Sequence, residues 1–527
     1  MSGIVSPSTA DISASLQQRA AERLRGLSDA ALYTYLADAL YLERRRIEQG
    51  RADDDSQSTY TALLDEAAQA IRADRGRMQR AVLSLVRHYV AEIHNRFSER
   101  TYNFATRFLP GALTRLLTAA QPTQLLGADF DPASRLMVQG PLDQLRALSE
   151  HHTLIITPTH LSNLDSPLIG YGLYAANLPP CIYGAGLNLF TNPAMSFFMS
   201  RLGAYTVDRR KTHRLYKDTL KDYSTESLRR GAHSLFFPGG TRSRTGLVET
   251  DLKKGLLGTA IQAWQENLAA GKTNGELLVV PCTLTFALVL EAETLIEDAL
   301  AESGQSRYII TDDEFSEART VASFARRVLS LDASTYIRFG APLDLLGNPV
   351  DADGRSLGPD GEPIDRADYV TGRDGKVQWD AQRDRVYTDR LSAAITDAYR
   401  RDSIALSTHV AGFVAWELLQ KQWPRLDTFQ LAVLRPAERK LPRAAVLAGI
   451  ERVIAGIHRR VAAGQLREAL PEGGAEGLME DALFRFSGYH KRPALRQLGE
   501  EIEVGPKLAL YYGNRLRGHG LEKEVLA

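Results

Sequence analysis

Five short runs of β-branched and other apolar residues constrain the fold of this chain most, because stretches with helical periodicity separate them. The runs lie in the middle of the sequence, at Thr153–Thr157, Ala204–Val207, Ser234–Phe237, Leu277–Phe286 and Thr335–Phe339. Strands that alternate with helices favour a sheet whose faces are covered by helices. We therefore predict an α/β domain over residues 126–345, built as a mixed sheet flanked by helices.

The regions on either side of this domain are expected to be helical. Residues 1–125 are rich in Ala, Leu, Arg and Glu, and Leu32, Leu36 and Leu40 recur there at helical spacing. The same periodicity returns in residues 391–527. We predict a helical N-terminal region and a helical C-terminal region with these bounds.

Residues 346–390 differ from both neighbours in composition. They hold many Asp and Gly residues and few apolar residues to bury, as in the string NPVDADGRSLGPDGEPIDRAD. This composition predicts a polar loop or hairpin insert. The DADG string at 351–354 resembles part of a calcium loop, but the remaining alternating ligands and the final Glu are missing. We therefore predict no metal site there, and we find no internal repeat of fixed period in the chain.

Size, charge and hydropathy exclude several classes of protein. At 527 residues the chain is long enough for more than one domain. Lys plus Arg and Asp plus Glu both total 64, so no overall charge attracts the chain to nucleic acid, and any basic site must be local. No secretory signal and no run of 18 apolar residues is present, so contact with lipid is expected from one side of a membrane.

The chain has two cysteines, Cys181 and Cys282, and both lie within apolar runs. Two cysteines exclude a disulfide framework and a thiolate-rich metal site. We predict that both are buried and structural, as suits a reducing cytoplasm.

The string TPTHLSNLDSPLIG, which follows the first predicted strand, contains the candidate catalytic residues His160 and Asp165. Functional groups of α/β proteins collect where strands end. A neutral imidazole can remove a hydroxyl proton near pH 7, and a carboxylate beside it fixes the tautomer and stabilises the imidazolium. This arrangement suits acyl transfer to an alcohol.

The spacing between His160 and Asp165 carries little information by itself. His213 and Asp218 have the same spacing within THRLYKDTLKDY, where a helix would point the two side chains apart at the protein surface. His160 lies instead in an irregular segment that lets its side chain meet that of Asp165. A structural loop histidine remains the alternative interpretation at this point.

Four strings together resemble the conserved blocks of the glycerolipid acyltransferase family. In chain order they are HLSNLD, GAYTVDRR, FPGGTRSRTG and VVPCTLTF, and both their order and their spacing agree with the family. The resemblance covers about residues 150–290. The strings ALFRFSGYH and YYGNRLRGH are similar to C-terminal strings of the larger glycerol-3-phosphate acyltransferases.

This resemblance implies a glycerol-phosphate acyltransferase-like fold and transfer of a fatty acyl group from acyl-CoA or acyl carrier protein. The expected acceptor is the sn-1 hydroxyl of glycerol 3-phosphate, which would give lysophosphatidate for phospholipid synthesis. His160 would be the base and Asp165 its partner, with no metal and no cofactor besides the acyl donor. The alternatives are acylation of dihydroxyacetone phosphate or lysophosphatidate, or an inactive lipid-binding or scaffold protein. The expected location is cytoplasmic and peripheral to the membrane, with no nucleic-acid partner and the oligomeric state left open.

The second and third blocks supply a candidate phosphate site. Guanidinium groups bind phosphate oxygens bidentately, and glycines let the main chain approach an anion closely. The resemblance favours Arg210 and Arg242 as phosphate contacts, with Arg209 and Arg244 secondary, and ordinary surface ion pairs are the alternative. The third block adds main-chain candidates at Gly239, Gly240, Thr241 and Ser243.

The third block also departs from the family pattern, because Gly239 stands where the family usually has Glu. The resemblance assigns that carboxylate a role in organising the acceptor site. The sequence therefore predicts a difference in this chain at the acceptor site.

An apolar stripe after Pro193 is the candidate contact for the acyl chain or for lipid. It comprises Met195, Phe198, Met199 and Leu202, at i, i+3, i+4 and i+7 of a predicted helix. Packing in the protein core is the alternative role for these side chains.

Overall fold

The computed structural model describes residues 9–49, 57–104, 136–187, 199–272, 276–289, 291–303, 335–487, 490 and 492–526. Its N-terminal part is helical, as predicted. The four helices α1 to α4 span Thr9–Arg25, Asp29–Glu48, Gln57–Ala70 and Arg75–Ile93. Ser28 and Asp74 cap α2 and α4 by accepting main-chain N–H groups in the first turn. Leu16, Leu36 and Val82 are fully buried between these helices.

The centre of the molecule is a seven-stranded mixed sheet with the strand order β1-β7-β6-β2-β5-β3-β4. Strands β6 and β7 pair antiparallel, and every other pair in the sheet is parallel. The predicted mixed α/β sheet is therefore confirmed. In chain order β1 to β7 span Leu136–Gln139, Thr153–Pro158, Ile182–Gly186, Ala204–Val207, Ser234–Leu235, Leu277–Phe286 and Thr335–Phe339.

The structure corrects the sequence-based strand assignment in two respects. Strand β5 ends at Leu235, two residues before the predicted Phe237, because the chain leaves the sheet there to form the third block. Strands β1 and β3 were not predicted. Strand β3 reads IYGAG, and its glycines hide the β-branched pattern by which strands are recognised.

Helices cover both faces of the sheet. Strand β2 alternates between two cores, because Leu154 and Ile156 pack in one and Ile155 in another. Strand β6 is buried along its whole length. The flanking helices α5 to α10 span Leu142–Ser149, Asp165–Ala175, Arg214–Arg229, Lys254–Ala269, Ala292–Ser303 and Ala381–Asp402.

The segment between β7 and α10 contains a repeated turn with a seven-residue period, so the expectation of no internal repeat is wrong. Gly347, Gly354, Gly361 and Gly375 occupy equivalent positions with positive φ. Isolated bridges such as Val350↔Ser356 and Leu357↔Pro363 join successive turns. The sequence analysis missed the repeat because its recurring apolar position, once every seven residues, fits neither the period of a strand nor that of a helix.

The same segment is shorter than predicted, since α10 begins at Ala381, inside the range 346–390 assigned to a polar insert. The DADG string forms one of its repeated turns. There the Asp351 carboxylate accepts the main-chain N–H groups of Asp353 and Arg355 at 3.0 and 2.9 Å.

The C-terminal region is helical, as predicted, with short strands between its helices. Helix α11 is buried on nearly all sides and packs against α13, α14 and α15. Gly513 lets α11 and the end of α15 approach closely, because a Cβ there would lie 2.7 Å from the Phe413 Cα. Helices α11 to α16 span Ser407–Gln422, Thr428–Ala432, Arg443–Ala462, Gly474–Ser487, Pro506–Gly513 and Glu522–Leu526, and strands β8 to β12 span Ile404–Ala405, Lys440–Pro442, Arg467–Glu468, Leu495–Leu498 and Glu501–Val504.

Both cysteines are buried and free, as predicted. Burial raises the pKa of the Cys181 thiol to about 12. Within the ranges that the structure describes, no helix has both the length and the apolar content needed to cross a membrane.

The N-terminal helices contact the segment that follows β4 through Lys211. Lys211 is buried, its ammonium group forms an ion pair with Glu92, and it lies over the rings of Tyr60, Tyr89 and Tyr216 at 5.1, 4.8 and 5.4 Å from their centroids. Cation–π attraction strengthens when the cation is removed from water. Lys211 therefore connects the N-terminal helices to the segment between β4 and α7.

We expect Lys211→Met to lower the free energy of unfolding by about 3 kcal/mol, near the lower end for breaking a buried ion pair because Glu92 is 34% exposed. Urea denaturation followed by circular dichroism measures this change. The matched control is Lys221→Met on the exposed side of α7, for which a change within about 0.5 kcal/mol is expected. Equal stabilities of the two variants would contradict the proposed connection.

His213 is buried, so the expectation that His213 and Asp218 form a surface pair is wrong for the histidine. Its Nδ1 caps α7 by accepting the Tyr216 N–H at 3.2 Å, and its Nε2 lies 3.2 Å from the Glu43 carboxylate. Asp218 instead accepts the Tyr35 hydroxyl at 2.9 Å. The two side chains serve different contacts, as the helical spacing predicted.

Protonation of His233, which precedes β5, makes the free energy of unfolding depend on pH. It is buried, its Nδ1 accepts the Leu154 N–H at 3.0 Å, and burial lowers its pKa to about 4. Between about pH 6.5 and pH 4 the unfolded chain therefore binds a proton that the folded chain does not. Stability is full above this window and falls as the pH decreases through it, by up to about 1.4 kcal/mol per pH unit for this one group.

We therefore expect His233→Asn, which keeps a hydrogen-bond acceptor but cannot titrate, to lose less stability than the wild type between pH 7 and pH 5. Urea denaturation at several pH values measures the slope, and His151→Asn at an exposed position is the control. An identical slope in wild type and His233→Asn would show that His233 does not contribute.

Candidate active site

His160 and Asp165 lie at the two ends of the loop between β2 and α6. His160 Nδ1 is 2.7 Å from Asp165 Oδ2. Because an ionised carboxylate only accepts, Nδ1 carries the hydrogen and Nε2 is left to accept a proton. The Asp165 side chain is fully buried, whereas that of His160 is 17% exposed. The two groups thus have the geometry of a general base and the carboxylate that orients it.

The loop closes around the Asp165 carboxylate. The main-chain N–H groups of Leu161 and Ser162 donate to the same Oδ2 at 2.6 and 3.0 Å. Thr159 fixes the start of the loop to β6, because its hydroxyl accepts the Leu284 N–H at 3.0 Å. The fourth block, which forms β6, therefore supports the first.

The third block holds the main chain of His160 from both sides. The Ser243 N–H donates to the His160 carbonyl at 2.7 Å, and the His160 N–H donates to Glu249 Oε1 at 2.7 Å. The imidazole stacks on Phe237 with ring centroids 4.2 Å apart. Ring and main chain of the candidate base thus both depend on residues 237–249.

Glu291 joins the histidine loop to Arg242. Its buried carboxylate accepts the Ser162 hydroxyl at 3.0 Å and the Asn163 N–H at 2.9 Å, and Arg242 Nη1 lies 3.3 Å away. Burial raises the pKa of Glu291, which Arg242 and these donors oppose. Glu291 therefore fixes the loop of the candidate base and a candidate phosphate-binding arginine relative to each other.

Arg242 and Arg244 line one open pocket of about 430 Å³ in the third block. Its described lining is Gly239, Thr241, Arg242, Ser243, Arg244, Thr245, Leu247, Val248, Glu249, Thr250 and Asp251. Two guanidinium groups in a pocket beside the candidate base suit an anionic ligand.

Arg209 and Arg210 follow β4 and are exposed. Arg210 is held by Asp208, with Nε 2.9 Å from Oδ1 and Nη2 3.2 Å from Oδ2. Among the described residues, neither arginine lines the pocket that contains Arg242. Arg210 thus forms a local ion pair, which the sequence analysis gave as the alternative to phosphate binding.

The glycines of the third block permit two close approaches. Gly240 has a φ of +78°, and a Cβ there would lie 3.0 Å from the Lys253 Cγ. A Cβ on Gly239 would lie 3.2 Å from the Glu249 Cγ and 3.4 Å from its Oε1. Thr241 is exposed, and the Ser243 hydroxyl donates to the Leu247 carbonyl at 2.9 Å within the same turn.

Two of the four acyl-chain candidates, Met195 and Phe198, lie outside the described residues. Met199 and Leu202 are half-buried; Met199 lies in a helical turn, as predicted, and Leu202 in the turn that follows, before β4. The Met199 sulfur accepts the Tyr183 hydroxyl at 3.7 Å, so it packs against β3.

Three residues of the site were not predicted, namely Glu249, Glu291 and Arg515. Arg515 follows α15, is buried, and contacts the third block, because its Nη1 donates to the Gly246 carbonyl at 3.4 Å. Burial lowers the pKa of Arg515, and the carboxylates of Glu249 and Asp165 raise it. The available signal was the C-terminal string YYGNRLRGH, which contains Arg515 but does not reveal what it contacts.

Comparisons with known proteins find acyltransferases. The Acyltransferase family model matches residues 142–285. Glycerol-3-phosphate acyltransferases of Haemophilus ducreyi and Glaesserella parasuis serovar 5 are each 31% identical over 205 residues, which is 38% of this chain and 23% of the relative. The match thus spans under a quarter of the length of these curated relatives.

A solved 1-acyl-sn-glycerophosphate acyltransferase from Thermotoga maritima also resembles the chain, with 15% identity over 59% of this chain and 86% of that one. Its TM-score is 0.25, too low to support a statement about fold or activity.

The segment that contains the histidine–aspartate pair thus matches the Acyltransferase family model. The same segment is similar to glycerol-3-phosphate acyltransferases, in agreement with the resemblance of the four blocks.

Proposed function

We propose that the protein transfers a fatty acyl group from acyl-CoA or acyl carrier protein to the sn-1 hydroxyl of glycerol 3-phosphate, giving lysophosphatidate. The main support is that one loop carries the base and, through Glu291, holds Arg242: His160 Nδ1 is 2.7 Å from Asp165, and Arg242 Nη1 is 3.3 Å from Glu291. The names of the relatives in Haemophilus ducreyi and Glaesserella parasuis agree with this acceptor.

The proposed reaction needs no covalent enzyme intermediate. His160 Nε2 takes the proton of the acceptor hydroxyl as its oxygen attacks the thioester carbonyl, and Asp165 stabilises the imidazolium that forms. The tetrahedral intermediate then collapses to the ester, the carbon–sulfur bond breaks, and the departing thiolate takes the proton from His160. The acyl group thus moves from the donor sulfur to the acceptor oxygen, and the hydroxyl proton moves through His160 to the departing thiolate.

The acceptor phosphate is proposed to bind Arg242 and Arg244, whose shared pocket also contains Ser243 and Glu249, the two residues that bond the His160 main chain. Arg209 and Arg210 remain proposed contacts, with Arg210 exchanging its Asp208 partner for phosphate oxygen. Gly239 to Ser243 would add main-chain N–H groups to this anion site.

We further propose that the protein works in the cytoplasm at a membrane surface, because its product is amphipathic while its acceptor is soluble. Sedimentation with vesicles of anionic and neutral lipid tests this location. Recovery of all protein in the supernatant with both vesicle types would contradict it.

An assay with radiolabelled acyl-CoA or acyl carrier protein and three acceptors tests the proposed reaction. We expect labelled lysophosphatidate from glycerol 3-phosphate, and no transfer to glycerol, which lacks the phosphate. Label found solely in phosphatidate would instead identify lysophosphatidate as the acceptor, and label solely in the acyl-dihydroxyacetone phosphate would identify that triose. No transfer to any acceptor would favour a lipid-binding or scaffold role.

A further inference from the structure

The side chain of Glu249 lies close to Gly239, next to the candidate base His160. A Cβ at 239 would crowd the Glu249 side chain, since it would be 3.2 Å from the Glu249 Cγ and 3.4 Å from Oε1. A contact of 3.2 Å would require Glu249 to shift by a few tenths of an ångström. The lack of a side chain at 239 therefore lets Glu249 lie this close to the main chain of the third block.

Glu249 uses this position to hold His160. Its Oε1 accepts the His160 N–H at 2.7 Å, on the opposite side of the residue from the Ser243 N–H that donates to the His160 carbonyl. The main chain of His160 is thus fixed in the direction that brings its ring between Asp165 and Phe237. A misplacement of a catalytic group by about 1 Å can cost about 10²-fold in rate.

The second oxygen of Glu249 is buried in a charged environment. Oε2 is inaccessible to solvent and has no hydrogen-bond partner among the described residues. Burial raises the pKa of Glu249, whereas the Arg515 guanidinium and the His160 main chain lower it. Arg515 is itself buried, and its Nη2 is also without a hydrogen bond in the described part of the chain. A buried carboxyl with so little hydrogen bonding costs stability, which favours a functional reason for its presence.

We propose that Glu249 is a positioning residue for His160, and that the lack of a side chain at Gly239 leaves room for its carboxylate. Glu249 acts through the main chain of the base rather than on the acceptor. The kinetic part of this inference depends on the proposed acyl transfer, while the hydrogen bond to His160 can be measured without turnover.

The kinetic test compares Glu249→Ala, Glu249→Gln and the exchange variant Gly239→Glu/Glu249→Ala. We expect Glu249→Ala to lower kcat about 10²-fold with KM for the acceptor changed less than about 3-fold, because the base is misplaced while the arginines remain. Glu249→Gln keeps an acceptor for the His160 N–H and should retain most of the activity. The exchange variant returns a carboxylate to the same space and should recover at least about 10-fold of the loss. Glu362→Ala, at an exposed glutamate of the repeated turns, is the matched control.

Activity of Glu249→Ala within about 3-fold of wild type would overturn the proposal, as would an exchange variant that folds but is no more active than Glu249→Ala. Thermal denaturation establishes that each variant is folded. If the exchange variant does not fold, Glu249→Gln decides, because activity as low as that of Glu249→Ala would show that the hydrogen bond to His160 is not what matters.

Amide hydrogen exchange of the peptide that contains His160 separates this inference from the proposed reaction. We expect faster exchange in Glu249→Ala than in wild type or Glu249→Gln, whether or not any acceptor is acylated. Unchanged exchange would overturn the positioning role even in an active enzyme. If Glu249→Ala exchanges faster but the wild type acylates no acceptor, the positioning role of Glu249 is supported and the proposed function is refuted.

Discussion

Replacing His160 by alanine is expected to lower kcat for acyl transfer by at least about 10³-fold, within the range attributed to a general base. The reason is geometric: Nδ1 is engaged by Asp165 at 2.7 Å, so Nε2 alone is available to take the hydroxyl proton. The measurement is the steady-state transfer of labelled acyl groups from acyl-CoA.

Asp165→Asn is the informative companion to this variant. Its amide oxygen can replace Oδ2 as acceptor for Leu161, Ser162 and the imidazole, so the loop keeps its shape while the charge that stabilises the imidazolium is lost. We expect a decrease in kcat of about 10²- to 10⁴-fold with little change in KM. A His160→Ala enzyme that retains a tenth of wild-type activity, with its folding verified by circular dichroism, would remove His160 from the mechanism.

Replacing Arg242 by methionine is expected to raise KM for glycerol 3-phosphate about 10- to 150-fold, the equivalent of one charge-assisted hydrogen bond of about 1.5–3 kcal/mol. Arg242 lines the pocket beside the base and pairs with Glu291 at 3.3 Å. Glu291 is only 3% exposed, so loss of Arg242 also leaves a buried carboxylate without its cation. Arg242→Met should therefore be less stable than wild type as well.

The double variant Arg242→Met/Glu291→Gln separates these two effects. Removing both charges should restore much of the stability lost in Arg242→Met, while the high KM for the phosphate acceptor persists. Arg242→Lys keeps the charge without the bidentate fork and should give an intermediate KM. If KM for glycerol 3-phosphate is unchanged in every one of these variants, Arg242 is an internal structural cation and does not bind the phosphate.

The sequence predicted the parts of the fold that depend on local pattern. Strand β4 at Ala204–Val207 and strand β6 at Leu277–Phe286 have the predicted bounds. Short buried runs of β-branched and apolar residues favour strands over other secondary structure. Strand β3 was missed because two of its five residues are glycine. The seven-residue turns before α10 were missed because their recurring apolar position, at Leu343, Val350 and Leu357, fits neither the period of a strand nor that of a helix.

The buried environments of charged groups could not be read from local pattern. His213 was expected at the surface of a helix, yet its ring is enclosed by Glu43 and Tyr216. Lys211 is likewise buried, among Tyr60 and Tyr89 of the N-terminal helices and Tyr216 of α7. Each of these two side chains contacts at least one residue that is more than 100 positions away in the sequence. The periodicity of the adjacent helix α7 does not indicate which other helices will cover them.

By itself the sequence predicted a mixed sheet with five of its seven strands, the four blocks, and the pairing of His160 with Asp165, because these follow from residues that are neighbours along the chain. Only the tertiary structure decided what surrounds that pair. It brought Glu249 into the space above Gly239, placed Glu291 between the histidine loop and Arg242, and buried Arg515 against the third block. These contacts join segments that are distant in sequence, and the packing of the whole chain, rather than any local spacing, sets their distances.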